Sequence, residues 1–428
     1  MTSTSEYALN SPPGGDSRGS NQLGMRQYNE RVILQLIRRS GGLPKAEIAR
    51  LTNLSAQTVS VIINRLLDDK LLRKQAPQRE KGKVGQPSVP ISLNPAGAYS
   101  IGVKIGRRSL DVLMIDFLGK VLTRVNHPYD FPDPDFIFAR IEQEISAIIQ
   151  TLKPAQRHRL VGIGVAAPNA LGGWQQELNA PAAMLARWNE INIRQQIEAR
   201  QDLPVWFAND ATAACIAELV FDHGMQFSSY LYLFVGTFIG GGIVLNNTLY
   251  TGINNNAGAV GSMPMPTMPR GLGTVTDSAA PVQLINCASR YLLEDQLRSC
   301  GLDPEQVLQQ LAAKNYQDIP AQAIECYETW LQNAAAAIAF AITSAISIID
   351  FEGVIIDGIF PSTTILQLVT LIEDALDRMD LEGLLRPRLV AGTLGNDARA
   401  LGGAILPLYS NFAPDRDVLL KLGVTTGN

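Results

Sequence analysis

Two short stretches carry residues suited to phosphate chemistry. In VGTFIGGGIVL (residues 235–245), Gly236, Thr237, Gly240, Gly241 and Gly242 stand between two apolar runs. Glycines in such a loop let backbone amides approach an anion closely. In LPVWFANDATAA, Asn209 and Asp210 end an apolar run and precede small residues. Phosphoryl transfer from ATP needs a carboxylate that takes the proton of the attacking hydroxyl. Each stretch also has a structural explanation. Turn geometry alone uses glycine, and Asn and Asp both favour helix N-caps.

A third set of residues has the chemistry of nucleic-acid recognition. Val32, Ile33, Leu36 and Ile37 recur at helical spacing over 26–40. A second short helix is expected over 44–51, opened by Pro44 and burying Ile48 and Leu51. After the tight turn TNLS, Ser55 caps a third helix that buries Val59, Ile62, Ile63, Leu66 and Leu67. The other face of that helix carries Gln57, Thr58, Ser60, Val61, Asn64 and Arg65. The Gln57 and Asn64 amides match adenine edges, and Arg65 could reach guanine or phosphate. Leu71–Gln75 and Val89–Leu93 read as two strands around a basic tip that includes Lys81 and Lys83, with Gln86 beside it. Three helices and such a wing make a winged helix-turn-helix. A helical module that binds another protein would share the helices, but would not call for the basic wing.

Charge agrees with this division. The chain has 428 residues and a net charge of −4, but residues 1–98 hold 14 Lys/Arg against 7 Asp/Glu. A head of +7 on a body of −11 fits a local contact with nucleic acid. The polar stretch 1–20, rich in Gly, Pro and Ser and without an apolar core, is expected to be a disordered tail and not a signal peptide. The four cysteines form no CxxC pair and read as reduced, cytoplasmic thiols. TWLQNAAAAIAFAITSAISII approaches membrane-spanning length, but its Ala, Ser, Thr, Gln and Asn content favours a buried helix, so no membrane partner is expected.

The body repeats itself. A strand–turn–strand–turn–strand pattern begins near residue 100 and again near 229, an offset of about 130 residues. Helix and strand signals follow each unit, so a duplicated α/β fold in two lobes is expected, with ligands in the cleft between them. The limits are 21–95 for the winged helix, 96–220 for a small lobe to which a helix over 397–412 returns, and 221–396 for a large lobe.

VGIGVAAP, LPVWFANDATAA, YLYLFVGTFIGGGIVLNNTLYTGINNNAGAVG and ALGGAILPLY, in this order, resemble the ROK family of repressors, open reading frames and kinases. The head through GQPSVPISLNP resembles the winged helix joined to ROK repressors of sugar metabolism. The resemblance implies an actin-like, ribonuclease-H-like ATPase fold, a homodimer or homotetramer, and either a sugar kinase or a sugar-responsive regulator. The head implies the regulator, with double-stranded operator DNA and a sugar-like effector as partners, in the cytoplasm. The alternative is a sugar or amino-sugar kinase.

The family's catalytic motifs are eroded. Where ROK kinases have Asp-x-Gly-x-Thr, this chain has Lys104-Ile105-Gly106-Arg107-Arg108, so the acid that organises magnesium has become a cation. Asp210 matches the family's base and Asn209 its sugar contact, but without the first loop Asp210 is vestigial and no catalysis is expected. Where the family has Gly-Glu-x-Gly-His, this chain has Gly258-Ala259-Val260-Gly261-Ser262, and the cysteine loop that should follow has no cysteine. No metal or other cofactor is therefore expected. Asn179, Asn209, Asp210, Gly236 and Thr237 remain as effector-binding candidates. The wing carries Gly85-Gln86-Pro87 where winged ROK repressors often show Gly-Arg-Pro.

Overall fold

The computed structural model describes residues 22–77, 88–169, 171–173, 181–221, 226–266, 282–313 and 318–414. The expected tail, the wing residues Lys81, Lys83 and Gln86, and Asn179 lie outside the described residues.

The head is built from three helices and two short strands. Helix α1 spans Gln22–Ser40, α2 Lys45–Thr52 and α3 Ala56–Asp68. Pro44 precedes α2 with φ −66°, and Asn53 closes it in the left-handed region at φ 55°. The Ser55 hydroxyl then accepts the Thr58 amide at 3.1 Å and caps α3. Ile33, Ile37, Ile48, Val59, Ile62, Ile63 and Leu66 are buried together on the inner faces. Leu51 differs from expectation and is 46% exposed, because it lies in the last turn of a helix that ends at Thr52. Strands β1 (Leu72–Lys74) and β2 (Ile91–Leu93) pair antiparallel and frame the wing.

The body contains two five-stranded sheets with the same topology. In the first, β3 (Tyr99–Ile105), β4 (Ser109–Asp116), β5 (Val121–Pro128), β6 (Leu160–Ala167) and β7 (Val205–Asn209) lie in the order β5-β4-β3-β6-β7. Continuing in chain order, β8 is Tyr230–Val235, β9 Ile239–Leu245, β10 Thr248–Tyr250, β11 Pro264–Met265, β12 Val282–Gln283, β13 Gly353–Gly358 and β14 Arg388–Ala391. The second sheet runs β10-β9-β8-β13-β14, while β11 and β12 form a small separate ladder. The three-strand meander followed by two further strands thus occurs twice, as the sequence repeat implies. Asn246 and Asn247 turn β9 into β10 with φ 52° and 61°, the left-handed pair a tight hairpin needs.

By internal contacts the chain forms two compact units. Among the described residues, one takes those within 166–190 and 208–402; the other takes those within 22–165, 191–207 and 403–414. The head and most of the first sheet therefore share a unit. The Arg38 guanidinium of α1 donates to the Phe117 carbonyl at 2.9 Å and stacks 5.2 Å from that ring. Burial pulls its pKa down to about 10, against the opposing pull of Asp116. Phe117 meets Phe412 edge-on at 4.8 Å, and Arg159 donates to the carbonyls of Asp69 and Gly97.

In the other unit, the helix Ala321–Ile346 is long and apolar enough to cross a membrane by composition. Trp330, Leu331, Ala334, Ala335, Ile338 and Ile342 are buried in the core it shares with the helix Ser362–Leu376, so it serves as a core helix.

Candidate functional site

On α3 the buried and exposed stripes separate cleanly. Gln57, Val61, Asn64 and Arg65 are exposed and Ser60 is half-buried. Thr58 is exposed, but its hydroxyl lies 2.8 Å from that of Ser55, within the helix cap. Two of the reading candidates have partners that sequence spacing does not reveal. Lys45, at the start of α2, donates to the Asn64 side-chain oxygen at 2.8 Å. Arg65 pairs with Glu30 of α1 at 3.1 Å and with Asp69 at 3.7 Å. A helix-by-helix reading misses Lys45 and Glu30, because each reaches α3 from another helix. Beside α3, an open groove of about 730 Å³ is lined by Met25, Asn29, Gln57 and Val61 among others.

The glycine run of β9 has a packing reason. A Cβ on Gly240 would stand 2.8 Å from the Ala211 Cβ, and one on Gly242 would stand 2.6 Å from the Cys215 Cβ. Ala211 and Cys215 lie one turn apart on the helix Asp210–Phe221, so alternate glycines let that helix lie directly on the strand. The adjoining loop is also engaged. The carbonyls of Gly236 and Thr237 accept the amides of Arg290 and Tyr291 at 3.1 and 3.3 Å. These are first-turn donors of the helix Arg290–Ser299, which have no partner within the helix.

Asn209 and Asp210 both point a side-chain oxygen at the Ala211 amide, each at 3.0 Å, the helix-start role open to both. The second Asp210 oxygen faces Arg399 of the closing helix Ala398–Phe412 at 3.5 Å. The Arg399 guanidinium lies 5.0 Å from the centre of the Phe234 ring and reaches Asn396 at 3.3 Å. Asp210 is thus paired with a cation where a catalytic base would need to face a hydroxyl.

In the other unit, the rewritten first loop is closed on itself. Lys104 is buried, donating to the Ser109 hydroxyl at 2.7 Å and to Asp111 at 3.2 Å. Arg124 and Asn126 donate to the other Asp111 oxygen at 2.8 and 3.0 Å. Burial works to raise the Asp111 pKa, but Lys104, Arg124 and Asn126 together hold it below the usual carboxylate range. The Gly106 amide donates to the Ser109 carbonyl, and the Tyr129 hydroxyl donates to the Gly106 carbonyl. Arg108 donates to the Asp130 carbonyl and lies over Phe131. A buried lysine with its own carboxylate, beside a loop whose amide is taken, does not fit magnesium-bound ATP.

Ala259 and Ser262 bring neither a carboxylate nor an imidazole to the Val260–Ser262 turn. Trp188 is buried. His127 pairs with Glu144 at 2.9 Å, and His223 lies outside the described residues. Among the described residues, no group of three or more His, Cys, Asp or Glu could hold a metal ion.

Comparison with known proteins follows the same division of the chain. The ROK family model matches residues 100–409 and the MarR family model matches 27–81. The xylose repressor of Bacillus spizizenii (strain ATCC 23059 / NRRL B-14472 / W23) is 25% identical over 244 residues, 57% of this chain and 62% of the repressor. This chain therefore aligns with about three-fifths of that relative. Among solved structures, a ROK family transcriptional regulator described as a homolog of the E. coli MLC protein gives a TM-score of 0.65 at 21% identity, covering 92% of this chain and 99% of the other. The ROK hexokinase from Thermus thermophilus gives 0.53 at 22% identity, covering 73% and 98%. These two likenesses establish the fold, which regulators and kinases share. With 310 matched positions, most of its length, the chain belongs to the ROK family.

Proposed function

We propose that this protein is a DNA-binding transcription regulator of carbohydrate uptake or catabolism genes, without phosphoryl-transfer activity. The observation that carries the proposal is the exposed face of α3, where Gln57, Asn64 and Arg65 are all exposed on a winged helix. That geometry presents amide and guanidinium groups to base edges in a major groove. The name of the xylose repressor supports the same role, and supports a sugar-like effector.

In this proposal, residues 21–95 bind the operator and the remaining residues assemble the homodimer or homotetramer. Two-fold assembly matches a palindromic operator with one head on each half-site. Asn209, Asp210, Gly236 and Thr237 stay the effector candidates within the described residues. The protein works in the cytoplasm, where the chromosome is. The kinase alternative is disfavoured by the Lys104–Asp111 pair across β3 and β4, next to the first loop.

The test is an electrophoretic shift assay on fragments of the source genome, run from low to physiological salt. Specific fragments should shift with a steep salt dependence. No shift at low salt would overturn the proposal.

A further inference from the structure

We infer that Val61 is a base-reading residue, and that it recognises the 5-methyl group of a thymine in each half-site. The inference rests on the DNA-binding proposal above and goes beyond it to one side chain and one base.

Val61 is 57% exposed on α3, a helix whose other valine and both isoleucines are buried. Its place on the helix matters as much as its exposure. At about 100° per residue, Val61 lies roughly 40° from Gln57 and roughly 60° from Asn64, in the middle of the exposed stripe. The buried Val59, Ile62, Ile63 and Leu66 centre on the opposite side. Val61 therefore supports no part of the head's core, and points wherever Gln57 and Asn64 point.

A valine side chain neither donates nor accepts a hydrogen bond. Among base edges in the major groove, it has one apolar partner, the thymine methyl. Met25 of α1 is 47% exposed and shares the groove beside α3 with Val61 and Gln57. The two side chains form an apolar patch next to the Gln57 amide. Along the helix axis Val61 stands about 6 Å beyond Gln57 and about 4.5 Å before Asn64. The thymine it reads then lies within about two base-pair steps of the base that Gln57 reads, at 3.4 Å per step.

The experiment selects binding sites from a random duplex pool with the full chain, and repeats the selection with Val61→Ser. The wild-type consensus should carry a thymine at one position per half-site that the variant no longer prefers, with the other positions kept. The wild-type consensus duplex is then made with deoxyuridine at that thymine, which removes only the methyl. Wild-type affinity should fall about fourfold per methyl, the value of one buried carbon. Val61→Ser should bind both duplexes equally. Equal wild-type affinity for thymine and deoxyuridine duplexes, or discrimination that survives in Val61→Ser, overturns the Val61 assignment and leaves DNA binding standing. Failure of the wild type to enrich any sequence overturns the DNA-binding proposal itself. The deoxyuridine arm alters no residue, so it holds even if the variant folds poorly.

Discussion

Arg399 holds Asp210 from the far end of the chain. The two are 189 positions apart, and the guanidinium nitrogen stands 3.5 Å from the carboxylate. The side chains are 12% and 19% exposed, so water screens the pair only in part. Phe234 supports the same guanidinium from its ring face. A carboxylate in this setting is a structural partner before it is a base.

Freeing Asp210 should therefore not create a kinase. In Arg399→Gly the carboxylate loses its cation, but Lys104 still stands where the resemblance to ROK kinases implies the acid that organises magnesium. Coupled ADP-release assays across a panel of hexoses should stay at background for both wild type and variant. The variant should instead lose about 1–2 kcal/mol of stability, from the broken charged hydrogen bond and the ring contact. Turnover in Arg399→Gly would show that this one contact silences a competent site.

The Lys104–Asp111 pair predicts a specific acid sensitivity. The folded protein holds the Asp111 pKa below its ordinary value of 3.8. A depressed carboxylate pKa adds stability that is fully present above about pH 5 and is lost as pH falls through the folded value. Asp111→Asn removes that dependence and leaves Lys104 buried without its carboxylate, at a cost of about 3–5 kcal/mol near neutral pH. Urea midpoints at pH 7, 5, 4 and 3 check both points. The wild-type advantage over Asp111→Asn should shrink toward pH 3, and a constant gap would refute the assignment.

The fold was legible because its signals are local and repeated. Ser55 capping α3, Asn246-Asn247 turning a hairpin, and the doubled strand pattern all act within a few residues of themselves. The site was legible only by residue type. The glycines 240 and 242 look alike as phosphate loop and as helix seat, and only the Ala211 and Cys215 contacts tell the two apart. Lys45 with Asn64, Glu30 with Arg65 and Arg399 with Asp210 are distant pairs. No spacing rule connects such residues, since tertiary packing alone sets them side by side.

Arg38 ties the head to the first sheet, and its loss should loosen that joint. Arg38→Ala removes the hydrogen bond to the Phe117 carbonyl and the stacking on the ring, about 1–3 kcal/mol together. Val59, Ile62 and Ile63 keep the head's own core, so α3 should stay folded. Amide exchange read by mass spectrometry should rise in the 117–120 turn between β4 and β5 and in the second half of α1, and stay unchanged in α3. Faster exchange throughout α3 would mean that Arg38 stabilises the head itself.

Lys45 should act on DNA in two separable ways. Its ammonium has only donors, so the atom of Asn64 that faces it must be the amide oxygen. The Asn64 NH₂ group then supplies the donors that an acceptor on a base would take. Lys45 also adds a positive charge at the start of α2, beside the reading helix. Lys45→Met removes both effects, whereas Lys45→Arg keeps the charge and alters the hold on Asn64. The slope of log affinity against log salt should become shallower by about 0.9 for each half-site bound in Lys45→Met and stay unchanged in Lys45→Arg. Base preference at the position read by Asn64 should relax in Lys45→Met, where the amide is free to rotate. An unchanged slope in Lys45→Met would place Lys45 away from the phosphates, and unchanged base preference would mean that Asn64 is oriented by DNA alone.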